Sequence, residues 1–360
     1  MKKWFDFAPA EYHFPELKNL QVNAIEQDSR KVKPGAAFFA VPGELADGRQ
    51  FIESALKNGA TIVLFEAEQP SFEKKQHAFF LGIPNLKDQL GVWASAFYDD
   101  PSKNMTVIAV TGTNGKTSCT QLIAGALQQL DLPCGVMGTL GNGVYGQLTP
   151  SPNTTPDAFI MQAEFSRWRE QGIRYAAIEA SSHGLVLGRM QGTHIHTAAI
   201  TNITRDHLDF HITMENYVEA KKSLFRWPGI QAAVINIDDV LCAPFCDVLG
   251  EAVALYPVGS AARAKVRAKS VKLTAAGLVL QVETPYGDEQ LNSQLYGRFN
   301  AENLLIALAC LLSISIPLQD AVRALSRVKP VPGRMQKVDA GLANLPGVVV
   351  DYAHTPDALE

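Results

Sequence analysis

The sequence predicts an α/β chain in which a small amino-terminal α/β unit precedes a P-loop-type domain with a mostly parallel sheet. Three observations point there. Val107 to Val110 is a short, mostly β-branched run that enters a glycine turn, and beyond it Leu122, Ile123, Ala126, Leu127 and Leu130 recur at helical spacing. Tyr175 to Ala180, Thr197 to Thr201 and Ala233 to Asn236 read as buried strands that end in polar clusters, where open α/β sheets hold their ligands. Ahead of these, Ala36 to Val41, Phe51 to Asn58 and Thr61 to Phe65 read as strand, helix and strand of a separate small unit.

The 360 residues leave room for two or three domains and a sizeable core. An apolar fraction of 47% and a charged fraction of 19% are those of a globular protein. The net charge of −4 argues against a nucleic-acid partner, which calls for a basic stripe. Five scattered cysteines, with Cys242 and Cys246 lacking the pairing and His partners of a zinc site, read as free thiols. With no signal peptide in view, the expectation is a cytoplasmic protein. The longest apolar run, Leu304 to Ile316, is too short to span a membrane and reads as a buried helix.

The strand, turn and helix around residues 107–130 form the organising element. Gly112 and Gly115 let the backbone turn sharply with its N–H groups inward, Lys116 adds a positive charge, and Thr117 sets a hydroxyl at the helix start. That combination suits a polyphosphate with Mg²⁺. Only Thr113 and Asn114 separate Gly112 from Gly115-Lys116-Thr117, two residues fewer than the general P-loop has. The whole run Thr111 to Thr117, TGTNGKT, resembles the ATP loop of the Mur ligases and of the related folylpolyglutamate synthases. The resemblance implies that Gly112, Thr113, Asn114, Gly115, Lys116, Thr117 and Ser118 hold ATP.

Other motifs follow in the order of the Mur family, and those ahead of the loop resemble its UDP-MurNAc-tripeptide synthetase branch. Asp28-Ser29-Arg30 and Ala46-Asp47-Gly48-Arg49 are by themselves turns or caps. The resemblance makes 1–86 a UDP-binding domain and places Ser29 at the uracil. It makes 87–332 the ATP domain, with Thr154 and Thr155 of the Asn-Thr-Thr run at the pyrophosphate or muramyl region. Ser181 and Arg189, after the strand that ends in Glu179, would contact the muramyl peptide. The pattern is broken at Glu44, Leu45 and Leu187.

A buried Glu179 needs a cation or a donor, and with Thr117 it reads as a Mg²⁺ ligand. NITRDHLDFH, residues 202–211, is close to a Mur motif that makes His207 a second-metal ligand. Counting four residues on from Tyr217 along the helical run Glu215 to Arg226 selects Lys221, the position at which the family carries a carbamate. A desolvated neutral amine can add CO₂, which makes that modification chemically reasonable. Asn300 and Asn303 are implied at the adenine, and Arg334, Asp351 and His354 near the nucleotide.

Residues 333–360 would then begin a Rossmann-like third domain, so the expectation is a truncated chain that ligates poorly alone. The implied activity is ATP-dependent addition of a diamino acid, meso-diaminopimelate or L-lysine, to UDP-MurNAc-L-Ala-D-Glu. The expected catalytic set is Lys116, Glu179, His207 and Lys221, with two Mg²⁺ ions, no nucleic-acid or membrane partner, and a monomer. The rivals are another superfamily ligase, MurF or folylpolyglutamate synthase, and a nucleotide-binding fragment without chemistry.

Overall fold

The computed structural model describes residues 1–43, 46–75, 77–338 and 348–353. Glu44, Leu45 and His354 lie outside the described residues. Packing divides the chain into two compact units, one of Met1–Lys103, Asp157–Ser166 and Leu187–Thr193, the other of Asn104–Pro156, Arg167–Val186 and His194–Glu360.

The first unit is built on a five-stranded sheet with the order Ala24–Glu26, Ala36–Ala40, Ile62–Glu66, Ala78–Ile83 and Ser71–Lys75. All neighbours are parallel except the last pair. Every residue of Ala36–Ala40 is buried, which is why that strand reads as a continuous apolar run instead of an alternating one. The helix Leu90–Phe97 sends Trp93 into this core, where its ring lies 5.5 Å from that of Trp4. Residues 87–103 therefore belong to the first unit, although the sequence assigns them to the second. An apolar helix announces that it is buried but not which sheet it is buried against.

The second unit carries an eleven-stranded sheet. Its central strands are parallel and run in the order Cys134–Gly138, Tyr175–Glu179, Thr106–Thr111, Thr197–Ile200, Ala232–Asn236 and Ala254–Gly259. Antiparallel ribbons extend both edges, and the expected ribbon over 266–291 is formed by Val266–Thr274, Gly277–Thr284 and Gly287–Ser293. Chain order reverses around Thr106–Thr111, so the loop after that strand opens at a topological switch point. The helix Phe299–Ser313 is buried on nearly all sides and packs with Lys116–Gln129 and Leu318–Arg327 in one core. Its apolar residues go all round because it is enclosed. Among the described residues no helix is long and apolar enough to cross a membrane. Val348–Val350 is the expected strand before Asp351, and it pairs with Gln336–Val338 in a two-stranded ribbon.

Candidate active site

The loop between Thr106–Thr111 and the helix Lys116–Gln129 sets the geometry. Gly112 has φ +136° and Gly115 φ +87°, both in the region that favours glycine. Space imposes the same choice: a Cβ on Gly112 would lie 1.8 Å from Thr201 Oγ1, and one on Gly115 2.4 Å from Asn303 Oδ1. The loop is pinned from the neighbouring strand end, where Asn202 Oδ1 accepts from the Asn114 amide at 2.9 Å. Lys116 Nζ donates to the carbonyls of Gly112 and Thr113, each at 2.8 Å, and so folds over its own loop. Desolvation lowers its pKa, opposed by the carboxylates of Glu179 and Asp206. Ser118 is buried one residue further into the helix than Thr117.

Sheet register brings Glu179 to the loop, because Glu179 pairs with Val110 two residues before Gly112. Its carboxylate is 1% exposed and is held by three groups. Thr117 Oγ1 donates at 3.1 Å, the Thr139 amide at 2.9 Å and Thr139 Oγ1 at 3.2 Å. Burial raises its pKa, while the Lys116 charge and these hydrogen bonds pull the other way. Arg334 donates to Thr117 Oγ1 at 3.2 Å and lies over the Tyr352 ring at 4.5 Å. Asp351 accepts from the amides of Met335 and Ala353, both at 2.8 Å.

Beside this carboxylate, Thr154 Oγ1 lies 3.2 Å from Thr139 Oγ1, and Thr155 Oγ1 donates to the Glu179 carbonyl at 2.7 Å. The Thr155 and Ser181 hydroxyls are 2.9 Å apart, so those two sequence-predicted residues meet. Asn303 donates to Asn300 Oδ1 at 2.9 Å and Asn300 to the Tyr296 carbonyl at 2.6 Å. Both amides are buried and satisfied by one another and by their own turn.

Lys221 is 1% exposed, on the helix Met214–Lys222 that Thr213 caps. Its Nζ donates to the Gly112 carbonyl at 2.8 Å and stands 4.4 Å above the Tyr217 ring. Desolvation, reinforced by the Lys116 charge, holds its pKa well below that of an ordinary lysine. The amine meets a carbonyl and not a carboxylate, so the site favours the neutral form. His207 caps the short helix Leu208–His211 at φ +51°, with Nε2 3.3 Å from Asp206 Oδ2. Burial lowers its pKa, Asp206 opposes that, and His183, Lys116 and Lys221 add to it.

In the first unit, Ser29 is buried and its carbonyl accepts from Asn58 Nδ2 at 2.8 Å. Arg30 and Asp28 beside it form a two-pronged pair, both contacts at 2.8 Å. Arg189 also belongs to the first unit, whereas Ser181, Thr154 and Thr155 belong to the second.

Three site neighbours escaped the sequence reading. Thr139 reaches Glu179 across 40 positions, and its only signal is that it follows the strand Cys134–Gly138. The His183 ring packs 4.7 Å from His207 and 4.2 Å from Phe210, and its place in Ser181-Ser182-His183 was a usable clue. Tyr217 bonds Thr113 through its hydroxyl at 3.0 Å. Among the described residues no group of three or more His, Cys, Asp and Glu side chains could hold a metal by itself.

Comparison with known proteins matches residues 110–311 to the Mur ligase middle domain and 21–98 to the domain described as Mur ligase family, catalytic domain. The UDP-N-acetylmuramoyl-L-alanyl-D-glutamate–2,6-diaminopimelate ligase of Chromobacterium violaceum is 44% identical over 345 residues, spanning 95% of this chain and 69% of that protein. The ligase of the same name from Coxiella burnetii is 42% identical over 348 residues, 94% of this chain and 70% of its own. A solved structure of a ligase so named superposes with a TM-score of 0.86 at 34% identity, covering 99% of this chain and 72% of that one. The chain belongs to the Mur ligase family, ATP-dependent ligases of peptidoglycan precursor synthesis.

Proposed function

We propose that this chain carries the carboxylate-activating site of a ligase that joins 2,6-diaminopimelate to the D-Glu carboxylate of UDP-MurNAc-L-Ala-D-Glu. The substrates are those in the names of the relatives at 42–44% identity. The observation that carries the chemistry is the convergence of Lys116, the Thr117–Glu179 pair and the buried Lys221 amine on one glycine loop. In this reading the substrate carboxylate attacks the γ-phosphorus of ATP, ADP leaves, and the resulting acyl phosphate is attacked at carbon by the incoming amine, expelling phosphate. The loop amides and Lys116 cradle the phosphates, and Lys116 meets charge that grows on the transferring group.

The donors present suit Mg²⁺, a hard ion that takes one or two carboxylates and completes its shell with phosphate oxygens and water. Thr117 and Glu179 would hold one ion, and His207 with a carbamate on Lys221 the other; when bound, the ions supply positive charge against the phosphates. Lys221 fits that role only after CO₂ converts its amine into a carboxylate, and burial supports the reactive neutral form. Asn300, Asn303, Arg334 and Asp351 would line the nucleotide, and Thr154, Thr155 and Ser181 the muramyl peptide. The enzyme is taken as a cytoplasmic monomer, in keeping with five free cysteines.

Calorimetric titration with UDP-MurNAc-L-Ala-D-Glu tests the substrate assignment. Saturable binding that UDP competes and that Ser29→Ala weakens about tenfold, the loss of one good hydrogen bond to a ligand, is the expected result. Absence of binding to the UDP compound would rule the assignment out.

A further inference from the structure

Tyr217 is the residue at which the separate parts of the candidate site touch. Its side chain is 1% exposed, among the largest fully buried side chains of the protein. One end, the hydroxyl, lies 3.0 Å from Thr113 Oγ1 in the glycine loop. Thr113 is in turn held by the strand end opposite, accepting from the Thr204 amide at 2.9 Å and lying 3.2 Å from its carbonyl. The face of the ring carries the Lys221 amine at 4.4 Å from its centroid. Its flanks meet the rings of His211 at 5.2 Å and His207 at 6.3 Å. Tyr217 and Lys221 are four residues apart on one helix, so the ring lies one turn from the lysine and covers one side of its amine. The Gly112 carbonyl occupies another side, at 2.8 Å.

Two consequences follow from chemistry. The ring covers one face of the amine, so ring and carbonyl together restrict the direction from which CO₂ can add. A carbamate nitrogen retains one N–H, so the bond to the Gly112 carbonyl can persist after CO₂ adds and can fix the direction of the new carboxylate. Burial also raises the Tyr217 pKa far above the neutral range, so its hydroxyl stays protonated and able to donate to Thr113.

We infer that Tyr217 is a positioning residue that couples the nucleotide loop to Lys221: its hydroxyl sets the loop through Thr113, and its ring holds the amine in the orientation that accepts CO₂. The inference rests on the carbamate and nucleotide readings above, and each half has its own readout. Two variants separate them. Tyr217→Phe keeps the ring and removes the hydroxyl; Tyr217→Leu removes both. Phe225→Leu, a buried change in the following turn where Phe225 packs 5.3 Å from Phe245, controls for general loss of stability.

The measurements are ATP affinity with Mg²⁺ by calorimetry, the ¹³C signal of a lysine carbamate in ¹³C-bicarbonate, and the melting temperature. Tyr217→Phe is expected to bind ATP about five- to tenfold more weakly, as for one lost hydrogen bond, with the carbamate signal intact. Tyr217→Leu is expected to lose at least about nine-tenths of the carbamate signal while still folded, the effect of removing the ring that orients the amine. Phe225→Leu should melt lower yet keep both properties. Folded Tyr217 variants with wild-type affinity and carbamate signal would overturn the inference. If the wild type shows no carbamate, that reading falls by itself and the Tyr217→Phe affinity decides the role of Tyr217. If the wild type binds no ATP, the carbamate comparison decides it; loss of both wild-type signals overturns everything.

Discussion

Lys221→Ala lowers acyl-phosphate formation by about 10²–10³-fold, the usual cost of removing one preorganised charge-stabilising group. The expectation follows from position. The amine is sealed at 1% exposure and donates to the carbonyl that opens the nucleotide loop, so a carbamate there would stand beside the phosphates. The truncation leaves a cavity beside Tyr217 of the size of a small acid. Formate or acetate at high concentration should therefore recover part of the rate, because each delivers a carboxylate to the place of the carbamate. The neighbouring Lys222→Ala, on the same helix but half-buried, should leave the rate near wild type. Full activity in Lys221→Ala would remove the lysine from the mechanism.

Gly112→Ala destabilises the protein by about 2–5 kcal/mol, the sum expected for a strained backbone and an overpacked contact. The new methyl would have to enter a space where Thr201 Oγ1 lies 1.8 Å away, and the backbone there holds φ +136°. Thr201 has little room to retreat, since its hydroxyl also donates to the Asn114 carbonyl at 2.5 Å. The same shift would turn the Gly112 carbonyl away from Lys116 and Lys221, which both donate to it. A lower denaturant midpoint together with loss of ATP binding is the predicted pair of results. An unchanged midpoint would mean that the loop relaxes freely, contrary to this account.

The contrast between Lys221 and Thr139 explains which parts of the site could be read from the chain. Lys221 is legible because a run of neighbouring residues, with Tyr217 four positions before it, resembles the family's motif, and such local spacing is a property of sequence. Thr139 reaches Glu179 only because Cys134–Gly138 and Tyr175–Glu179 lie side by side, with Met137 opposite Ile178. Strand pairing between distant segments is decided by tertiary packing, and no local pattern near Thr139 encodes it. The same holds for Asn300 and Asn303, whose spacing marked a helix start but not that their amides would bond to one another beneath the loop. In the first unit, the strands Ala36–Ala40 and Ile62–Glu66 were legible as buried apolar runs, whereas the helix around Trp93 was not assigned to them. Glu179 stood out for a physical reason that needs no partner to be known: a carboxylate ending a fully buried strand is too costly to keep without donors. Donors are what surround it.

The claim at the centre of this account is that the carboxylate of the UDP substrate is activated as an acyl phosphate at the glycine loop. Trapping tests it most directly: the protein is mixed with ATP, Mg²⁺, bicarbonate and UDP-MurNAc-L-Ala-D-Glu, with hydroxylamine in place of the amino acid. The account predicts a hydroxamate of the UDP substrate, formed with one ADP for each molecule trapped and about 10²–10³-fold more slowly in Lys221→Ala. ATP and substrate both bound, with neither hydroxamate nor ADP formed, would contradict it.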